Sequence, residues 1–493
     1  MADNTYKGIF KSTALFGFVQ LFKAIISIIK SKAVALLLGP AGMGVMGIYN
    51  STLQLIQTGA GLGISQSAVR DIAESNGSNN KILVSKIISI TTNIILIIAL
   101  IGAIITLLFS SKLSDWTMGD SNYTISYAIL SIAVFFNILN EGNLAILKGL
   151  RKLRYLAFAS MIGTGAGLLT AIPLYYFFGE KGIVPELIIA GSIALIATKF
   201  FIKKSSIGKY NNISIKEVFI GAMPMIKLGS ALMFTSVLQT AIALVINSYI
   251  KRTGGLEDVG CYSAAMAIIN NYFALIINAL STDYYPRIAA VNKDNSLLQD
   301  ELNKQSSVSV VLCCPMFVFL VSFVEFFIII LYSKEFIPAI DYLRYGIYWT
   351  LIIVCSNQVD MILVAKGKSK VFLFISIVFR IIQLVLCLFL YTLYGLTGLG
   401  VGYACLGVIH MVIMCITVYV LYKIKFSRQF IKLFSTVLGF AVVSTLISYI
   451  PDIITRTLLG LVIFSISMFF SYRVCKNCFE IDLLAIVINK LKK

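Results

Sequence analysis

Polar and cationic side chains recur at helical spacing inside the first two long apolar segments of the chain. At about 100° per residue, those of the first segment share one helix face: Thr13, Gln20, Lys23, Ser27 and Lys30. An uncharged stripe follows in the second segment: Asn50, Gln54, Gln57, Gly61 and Ser65. An ammonium group at mid-membrane costs about 2.5 to 3.5 kcal/mol and normally faces a bundle interior or a watery cavity. The two stripes therefore predict a basic, water-filled cavity, which favours an anionic ligand.

Later apolar segments carry further polar residues that extend this prediction. Lys227 follows Pro224 in the seventh segment, and Arg380 lies near the middle of the eleventh. Asn271 and Asn278 lie seven residues apart in the eighth segment and so share a helix face, as the amide side chains of the second segment do. The predicted ligand-binding residues are Lys23, Lys30, Lys227, Arg380, Asn50, Gln54, Gln57, Asn271 and Asn278. For the amides, hydrogen bonding between helices is an equally good interpretation.

Two carboxylates deep in apolar segments are the partners available to these cations. Asp360 lies in the tenth segment and Glu141 in the fourth, and both are also candidates for binding a coupling ion. The alternative for each cation is an ion pair that holds two helices together. Because two carboxylates cannot neutralise four cations, the pattern favours the cationic cavity. His410, the only histidine, is more typical of a packed helix residue than of a ligand.

The sequence lacks the motifs of catalytic and cofactor sites. It contains neither a GxxxxGK[ST] nucleotide loop nor an HExxH zinc motif. The glycine clusters at 39–42 and 59–63 are typical of a tight turn and of close helix packing. Cys475 and Cys478 form a lone CxxC without the second pair that a zinc site needs. We therefore expect no catalytic residue, no metal and no cofactor.

The composition is that of an integral membrane protein. Of the 493 residues, 58% are hydrophobic and 13% are charged, and the mean hydropathy is +0.91. Soluble domains are nearer half apolar and a quarter charged. The net charge of +19 comes mostly from lysines and arginines in short loops, a placement typical of membrane topology rather than of nucleic-acid binding.

Fourteen segments have the roughly 20 apolar residues that a bilayer crossing needs. The predicted spans are 10–38, 43–66, 86–109, 123–148, 155–178, 183–202, 218–250, 260–284, 306–331, 341–365, 369–392, 397–422, 430–450 and 454–473. If the N-terminus is cytoplasmic, 29 lysines and arginines fall on that side and 6 on the other. The positive-inside rule then predicts that both termini are cytoplasmic.

Short echoes in the sequence predict two related halves. Three motifs recur at a nearly constant spacing: Gly47-Ile48-Tyr49 as Gly260-Cys261-Tyr262, Arg70 as Arg287, and Lys148-Gly149 as Lys366-Gly367. A six-span unit has an even number of crossings, so the halves should run parallel. The expected fold is therefore all-α and integral to the membrane, with about 14 transmembrane helices. Two parallel six-helix bundles surround a central cavity, and two extra helices follow.

The predicted domains follow from these halves. They are a first bundle at 1–203, a cytoplasmic linker at 204–217, a second bundle at 218–422, two extra transmembrane helices at 423–474 and a cytoplasmic tail at 475–493. In the tail, four apolar residues share one helix face before a basic end: Ile481, Leu484, Ile488 and Leu491. This pattern is typical of an amphipathic helix that lies on the membrane surface.

The stretch from Leu36 to Glu74, LLLGPAGMGVMGIYNSTLQLIQTGAGLGISQSAVRDIAE, resembles the polysaccharide exporters of the MOP superfamily, and most closely the Wzx-type O-antigen translocases. The paired halves and the lysines of the first span add to the resemblance, whereas the last two spans exceed the twelve of many relatives. The resemblance implies a flippase of the bacterial inner membrane, not an enzyme. Its cargo would be undecaprenyl-pyrophosphate-linked oligosaccharide, delivered to the periplasmic face, with polymerase and chain-length proteins as partners.

The chemistry of such a cargo fits the residues. A cation about 4 Å from the pyrophosphate gains around 4 kcal/mol at an effective dielectric of about 20, and alternating access would come from rocking the two halves. One rival is a multidrug exporter of the same superfamily, which calls for deep carboxylates with few competing lysines. Another is a membrane scaffold whose buried charges only pair helices.

Overall fold

Helices make up all the regular structure in the residues that this computed structural model describes, namely 2–77, 80–205 and 213–479. The α-helices are α1 Ala2–Ala60, α2 Ile64–Gly77, α3 Lys81–Leu108, α4 Ser110–Met118, α5 Thr124–Gly149, α6 Leu153–Phe178, α7 Ile183–Lys204, α8 Ile215–Gly254, α9 Leu256–Ala290, α10 Asn295–Ser322, α11 Val324–Leu331, α12 Ala339–Ala365, α13 Ser369–Tyr422, α14 Arg428–Ile447 and α15 Ile453–Cys478. Short 3₁₀ turns occupy Ser121–Tyr123, Gly179–Gly182 and Lys334–Phe336. The predicted all-α class is confirmed.

Nine helical stretches within the described ranges are long and apolar enough to cross a bilayer. Two of them, Leu153–Lys204 and Lys370–Tyr422, contain 52 and 53 residues, enough for two crossings each, since one needs about 20. The count of fourteen spans stays a prediction. The predicted amphipathic face at 481–491 and half of the predicted linker, residues 206–212, lie outside the described residues.

The chain divides into two compact units, Met1–Gly260 and Cys261–Lys493. In the first unit, α5 packs against α3 and α7, and α6 packs against α1 and α7. Helix α8 also belongs to this unit, because it packs against α1, α2, α3 and α4. The sequence assigns α8 to the second bundle, and that domain division stays a prediction.

Two glycines allow a close crossing between α1 and the first turn of α9, inside the first unit. A Cβ atom on Gly44 would collide with the carbonyl oxygen of Leu256, and a Cβ atom on Gly260 with that of Pro40. The two contacts are reciprocal, because each glycine lies one helical turn after the residue whose oxygen the other one meets. Small residues of this kind let helix backbones approach closely in membranes.

The second unit is built around the pair α12 and α13. Helix α13 bends at Tyr394 and Gly395, where the backbone leaves helical geometry. Both arms of α13 contact α12, because Phe379 stacks on Trp349 in one arm and His410 bonds to Ser356 in the other. Helix α10 packs against α12, α14 and α15, so the two extra helices join the body of this unit through α10.

The backbone repeats its irregular positions at a constant spacing. Gly39 (φ 64°, ψ −169°) recurs as Gly255 (φ 94°, ψ 179°). Gly179 (φ 56°, ψ −137°) recurs as Gly395 (φ 58°, ψ −139°), and the two pairs have the same separation along the chain. A positive φ favours glycine because other residues clash there. The recurrence of this glycine-specific geometry supports a duplicated chain.

Helix ends repeat in nearly the same register. Phe109 separates α3 from α4, and Phe323 separates α10 from α11. The turn after α5 has Arg151 at φ 55°, and the turn after α12 has Gly367 at φ 70°. The structure therefore matches Gly367 with Arg151. The match with Gly149 inferred from the sequence is wrong, because Gly149 is still helical.

Candidate functional site

One face of α1 carries amides that are exposed on the surface of the first unit. Asn50 and Gln54 are exposed and Gln57 is half-buried, whereas Tyr49 and Leu53, on the adjacent face, are 2% and 4% exposed. The predicted stripe is therefore an outward face of this unit. Amide groups without hydrogen-bonding partners are costly in hydrocarbon, which favours contact of this face with water rather than with lipid tails.

The exposed surface of the second half of α3 has the opposite character. Leu100, Ile104 and Leu108 are all exposed, and all are apolar. An exposed apolar surface of this kind suits lipid, because the hydrocarbon core offers no partner for polar groups. Two surfaces of the same unit thus differ in chemistry, and the amides of α1 lie on the polar one.

Lys23 lies on the predicted polar face of α1 and is half-buried. The positive charge of Lys148, on α5, acts on Lys23 and also on Glu141, which is exposed two turns earlier on α5. Lys148 thus acts electrostatically on both Lys23 and Glu141, and the position of Glu141 deep in its span stays a prediction. Two cations and one carboxylate give these three residues a net positive charge.

Lys30 forms an ion pair that the sequence did not reveal. Its Nζ atom lies 2.8 Å from Oε1 of Glu186 in α7, and the Glu186 side chain has no solvent exposure. The hydroxyl of Tyr175, in α6, donates to Oε2 of the same carboxylate over 3.1 Å. Lys30 thus matches the alternative interpretation, in which a cation holds helices together.

Three predicted ligand-binding residues lie on α8 and α9, and the structure describes the side chain of one of them. Lys227 is exposed on α8, so its ammonium is accessible. Asn271 and Asn278 fall in the stretch 270–283 of α9, whose side chains lie outside the described residues. Their assignment to a ligand-binding site stays a prediction.

In the second unit, Arg380 begins a chain of polar side chains. Its guanidinium donates to Oε1 of Gln383 over 2.7 Å, and Nε2 of Gln383 donates to the Tyr403 hydroxyl over 3.4 Å. The Tyr403 and Tyr262 hydroxyls lie 2.8 Å apart. Trp349, Phe379 and Tyr342 surround this chain with aromatic rings. Arg380 thus leads, through Gln383 one helical turn later, into a buried tyrosine cluster.

Asp360 and His410 meet at the same α12–α13 interface. Oδ2 of Asp360 lies 3.7 Å from Nε2 of His410, and each residue is 9% exposed. Nδ1 of His410 lies 2.5 Å from the Ser356 hydroxyl. The sequence identified Asp360 as a candidate for ion coupling but treated His410 as a packing residue, because the interface that joins them is tertiary.

The sequence carries one indication of the Glu186 carboxylate that pairs with Lys30. Glu186 follows Pro185 in the first turn of its helix, and it is a carboxylate inside an apolar segment.

Among the residues that the structure describes, no group of three or more His, Cys, Asp and Glu side chains could hold a metal ion.

Two solved transporter structures share the fold of this chain. The structure of the lipid II flippase MurJ, in an inward closed conformation, matches 94% of this chain and 99% of its own with a TM-score of 0.68 and 15% identity. An inward-facing multidrug resistance MATE family transporter of the MOP superfamily matches 83% of this chain and 99% of its own, with a TM-score of 0.63 and 15% identity. At these identities the likeness establishes the fold, which is that of MOP-superfamily transporters.

The chain belongs to the family described as polysaccharide biosynthesis protein, whose model matches residues 33–341. A Shigella flexneri protein named "Putative O-antigen transporter" is 22% identical over 383 residues, 74% of this chain and 87% of the relative. The lipid III flippase of Escherichia coli (strain K12) is 18% identical over 387 residues, 78% of this chain and 92% of the relative. These relatives are named as transporters rather than enzymes.

Proposed function

We propose that this protein is a flippase for undecaprenyl-pyrophosphate-linked oligosaccharide, an O-antigen or related repeat unit. It moves this cargo from the cytoplasmic to the periplasmic leaflet of a bacterial inner membrane by alternating access. Family membership and the names of the relatives support the proposal. The observation that carries it is the pair of exposed amides Asn50 and Gln54 on the arm of α1 that follows the break at Gly39, together with the half-buried Lys23 on the arm before it.

The cargo has three parts with different needs. Its polyprenyl tail is compatible with lipid, whereas its pyrophosphate and its sugar hydroxyls are not. Lys23 offers the pyrophosphate an ammonium in a half-buried setting, where an opposite charge about 4 Å away is worth around 4 kcal/mol at a dielectric of about 20. Asn50 and Gln54 offer the sugars both donors and acceptors, since each amide carries both. Arg380 and Lys227 are the further cations proposed for the anion.

The charge distribution supports an anionic cargo over a cationic drug. An organic cation needs an accessible carboxylate in the membrane. Glu186 is fully buried and holds Lys30 at 2.8 Å, so it has no accessible charge to offer. The charged group on the exposed side of the same unit contains Lys23, Lys148 and Glu141, and its net charge is positive.

The membrane potential favours export of an anion. A negative charge that leaves a negative interior gains about 2.3 kcal/mol per 100 mV, so the cargo itself can supply part of the driving force. Asp360 and Glu141 are the residues proposed for ion coupling. Polymerase and chain-length proteins of polysaccharide assembly are the proposed partners, and cytoplasmic termini the proposed orientation.

The proposal is tested by neutralising two of the cations assigned to the anion. We expect the double variant Lys23→Gln, Arg380→Gln to reach the membrane at normal levels and to lose surface glycan, with lipid-linked oligosaccharide retained in the cytoplasmic leaflet. Lys112→Gln, which removes one exposed charge from α4, is the matched control and should export normally. Normal export by the double variant overturns the proposal, and a general loss of folded protein favours the scaffold alternative.

A further inference from the structure

The only histidine of the chain lies beside a buried carboxylate in the second unit. His410 and Asp360 approach to 3.7 Å at the interface of α13 and α12, and each is 9% exposed. At this distance the two groups act on each other electrostatically but do not form a short hydrogen bond. Both groups can change their protonation state, so the site can hold a proton in more than one way.

The Asp360 carboxylate is incompletely satisfied. Its Oδ1 atom is buried and has no hydrogen-bond partner among the residues that the structure describes. An isolated charged carboxylate in a low-dielectric interior is so costly that such groups normally neutralise. A bound proton removes this cost, because it discharges the carboxylate and leaves a neutral acid beside the imidazole.

The neighbouring groups decide which partner holds the proton. From α13, His410 and Cys415 face Asp360, and the positive charge of Arg380 acts on His410. Burial of the imidazole, and then the Arg380 charge, disfavour an imidazolium ion, so the proton belongs on the carboxylate. From α12 itself, the Ser356 hydroxyl bonds to Nδ1 of His410 and can either donate or accept. This contact therefore survives any change in the protonation of the ring.

Helices α9 and α10 also pack against this part of α12. The Tyr284 hydroxyl of α9 donates to the Gln358 carbonyl oxygen, and α10 contributes neutral groups. Ser306 and Ser309 of α10 bond to the Gln358 side chain, two residues before Asp360. Beyond them, Arg287 of α9 is paired with Glu301 of α10 and bonds to Gln305. The described contacts of these helices thus place no compensating cation against the Asp360 carboxylate.

We propose that Asp360 and His410 form a proton-binding site, in which the carboxylate takes up and releases one proton and His410 positions it. Proton binding is a property of the second unit alone. Its coupling to cargo movement rests on the proposed function and needs a conformation that admits water to the site. When the site is dry, the carboxylate holds its proton and the site is neutral. Water stabilises the ionised carboxylate, so the proton is released only when a change in conformation admits water.

The proton site is tested by infrared difference spectroscopy on the purified full-length protein between about pH 4 and pH 9, a range that covers both an ordinary and a buried carboxyl group. We expect a carboxylic acid band that changes reversibly with pH. The band should be lost in Asp360→Asn and should titrate at a different pH in His410→Gln. Asp341→Asn, at an exposed position on the same helix, is the matched control and should leave the band unchanged.

Two results would overturn the proton site: the absence of such a band in the unmodified protein, or its persistence in Asp360→Asn. If Asp360→Asn fails to fold, Asp360→Glu retains the acid and should give the band at a shifted frequency, and an unshifted band counts against the site. Coupling is tested in cells, where Asp360→Asn should abolish the dependence of glycan export on external pH. Because the infrared measurement needs no cargo, it tests the proton site independently of the flippase proposal.

Discussion

Lys30 of α1 and Glu186 of α7 form a 2.8 Å ion pair whose carboxylate is completely shielded from solvent. Tyr175 of α6 bonds to the other carboxylate oxygen, so one acidic group connects three helices. The pair separates the two lysines of the first span into different environments. Lys30 is held by an opposite charge, while Lys23, two helical turns earlier, is half-buried in a net positive group.

Glu186→Gln should destabilise the protein strongly. The change removes the partner of a part-buried ammonium, and breaking a buried pair costs about 3 to 5 kcal/mol. We expect the lower end of that range, because the Lys30 side chain is 26% exposed. The measurement is the free energy of unfolding in detergent. The double variant Lys30→Met, Glu186→Gln should recover most of the loss, and equal effects of the single and double changes would contradict a coupled pair.

Gln54 and Leu53 are neighbours on α1 with opposite expected effects. Gln54→Ala should leave stability within about 0.5 kcal/mol, as for most exposed positions, and should reduce glycan export. Leu53→Ala should cost about 2 to 5 kcal/mol of stability, because it empties a buried site. Thermal unfolding and surface glycan are measured for both. Normal export by Gln54→Ala, with its stability unchanged, would remove this amide from the proposed sugar contacts.

Gly44 and Gly260 should resist substitution by alanine. At each position a Cβ would collide with a carbonyl oxygen of the other helix, and overpacking typically costs about 1 to 3 kcal/mol. Gly439→Ala in α14 is the matched control, since nothing lies near its Cβ position among the described residues. That change should be neutral or slightly stabilising, because alanine favours a helix by about 1 kcal/mol over glycine. If either variant has the same free energy of unfolding as the control, α1 and α9 can separate at this crossing without cost, which would contradict the prediction.

The start of α8 should loosen at low pH. The pKa of the Glu217 carboxyl lies below its ordinary value of 4.5, first because the backbone N–H of Ser214 donates to it and then because the Ser214 hydroxyl does. A lowered pKa in the folded state gives a contribution that is present above the ordinary value and lost as the pH falls through the folded value. Hydrogen exchange of the first α8 amides should therefore accelerate below about pH 4.5. Glu217→Gln should show no such pH dependence at these amides.

Local patterns in the sequence determined much of the architecture. Apolar runs of bilayer length predicted the all-α membrane fold. The glycine cluster at 39–42 predicted a turn, and the helical geometry of α1 is interrupted there at Gly39. The polar stripe of α1 followed from spacing alone, because positions four residues apart share a helix face. Asn50 and Gln54 are accordingly exposed together, and Leu53 is buried behind them.

The tertiary structure decided which charges meet. Glu186 pairs with Lys30 across 156 residues, and His410 meets Asp360 from a different helix, through packing that no local spacing encodes. The alignment of the two repeats also required the structure. The backbone angles at Gly179 and Gly395 define that alignment more precisely than the short sequence echoes do. Helical periodicity fixes the face on which a side chain lies. The energy of a buried charge depends on its partner from another helix, and that partner is set only when the helices pack.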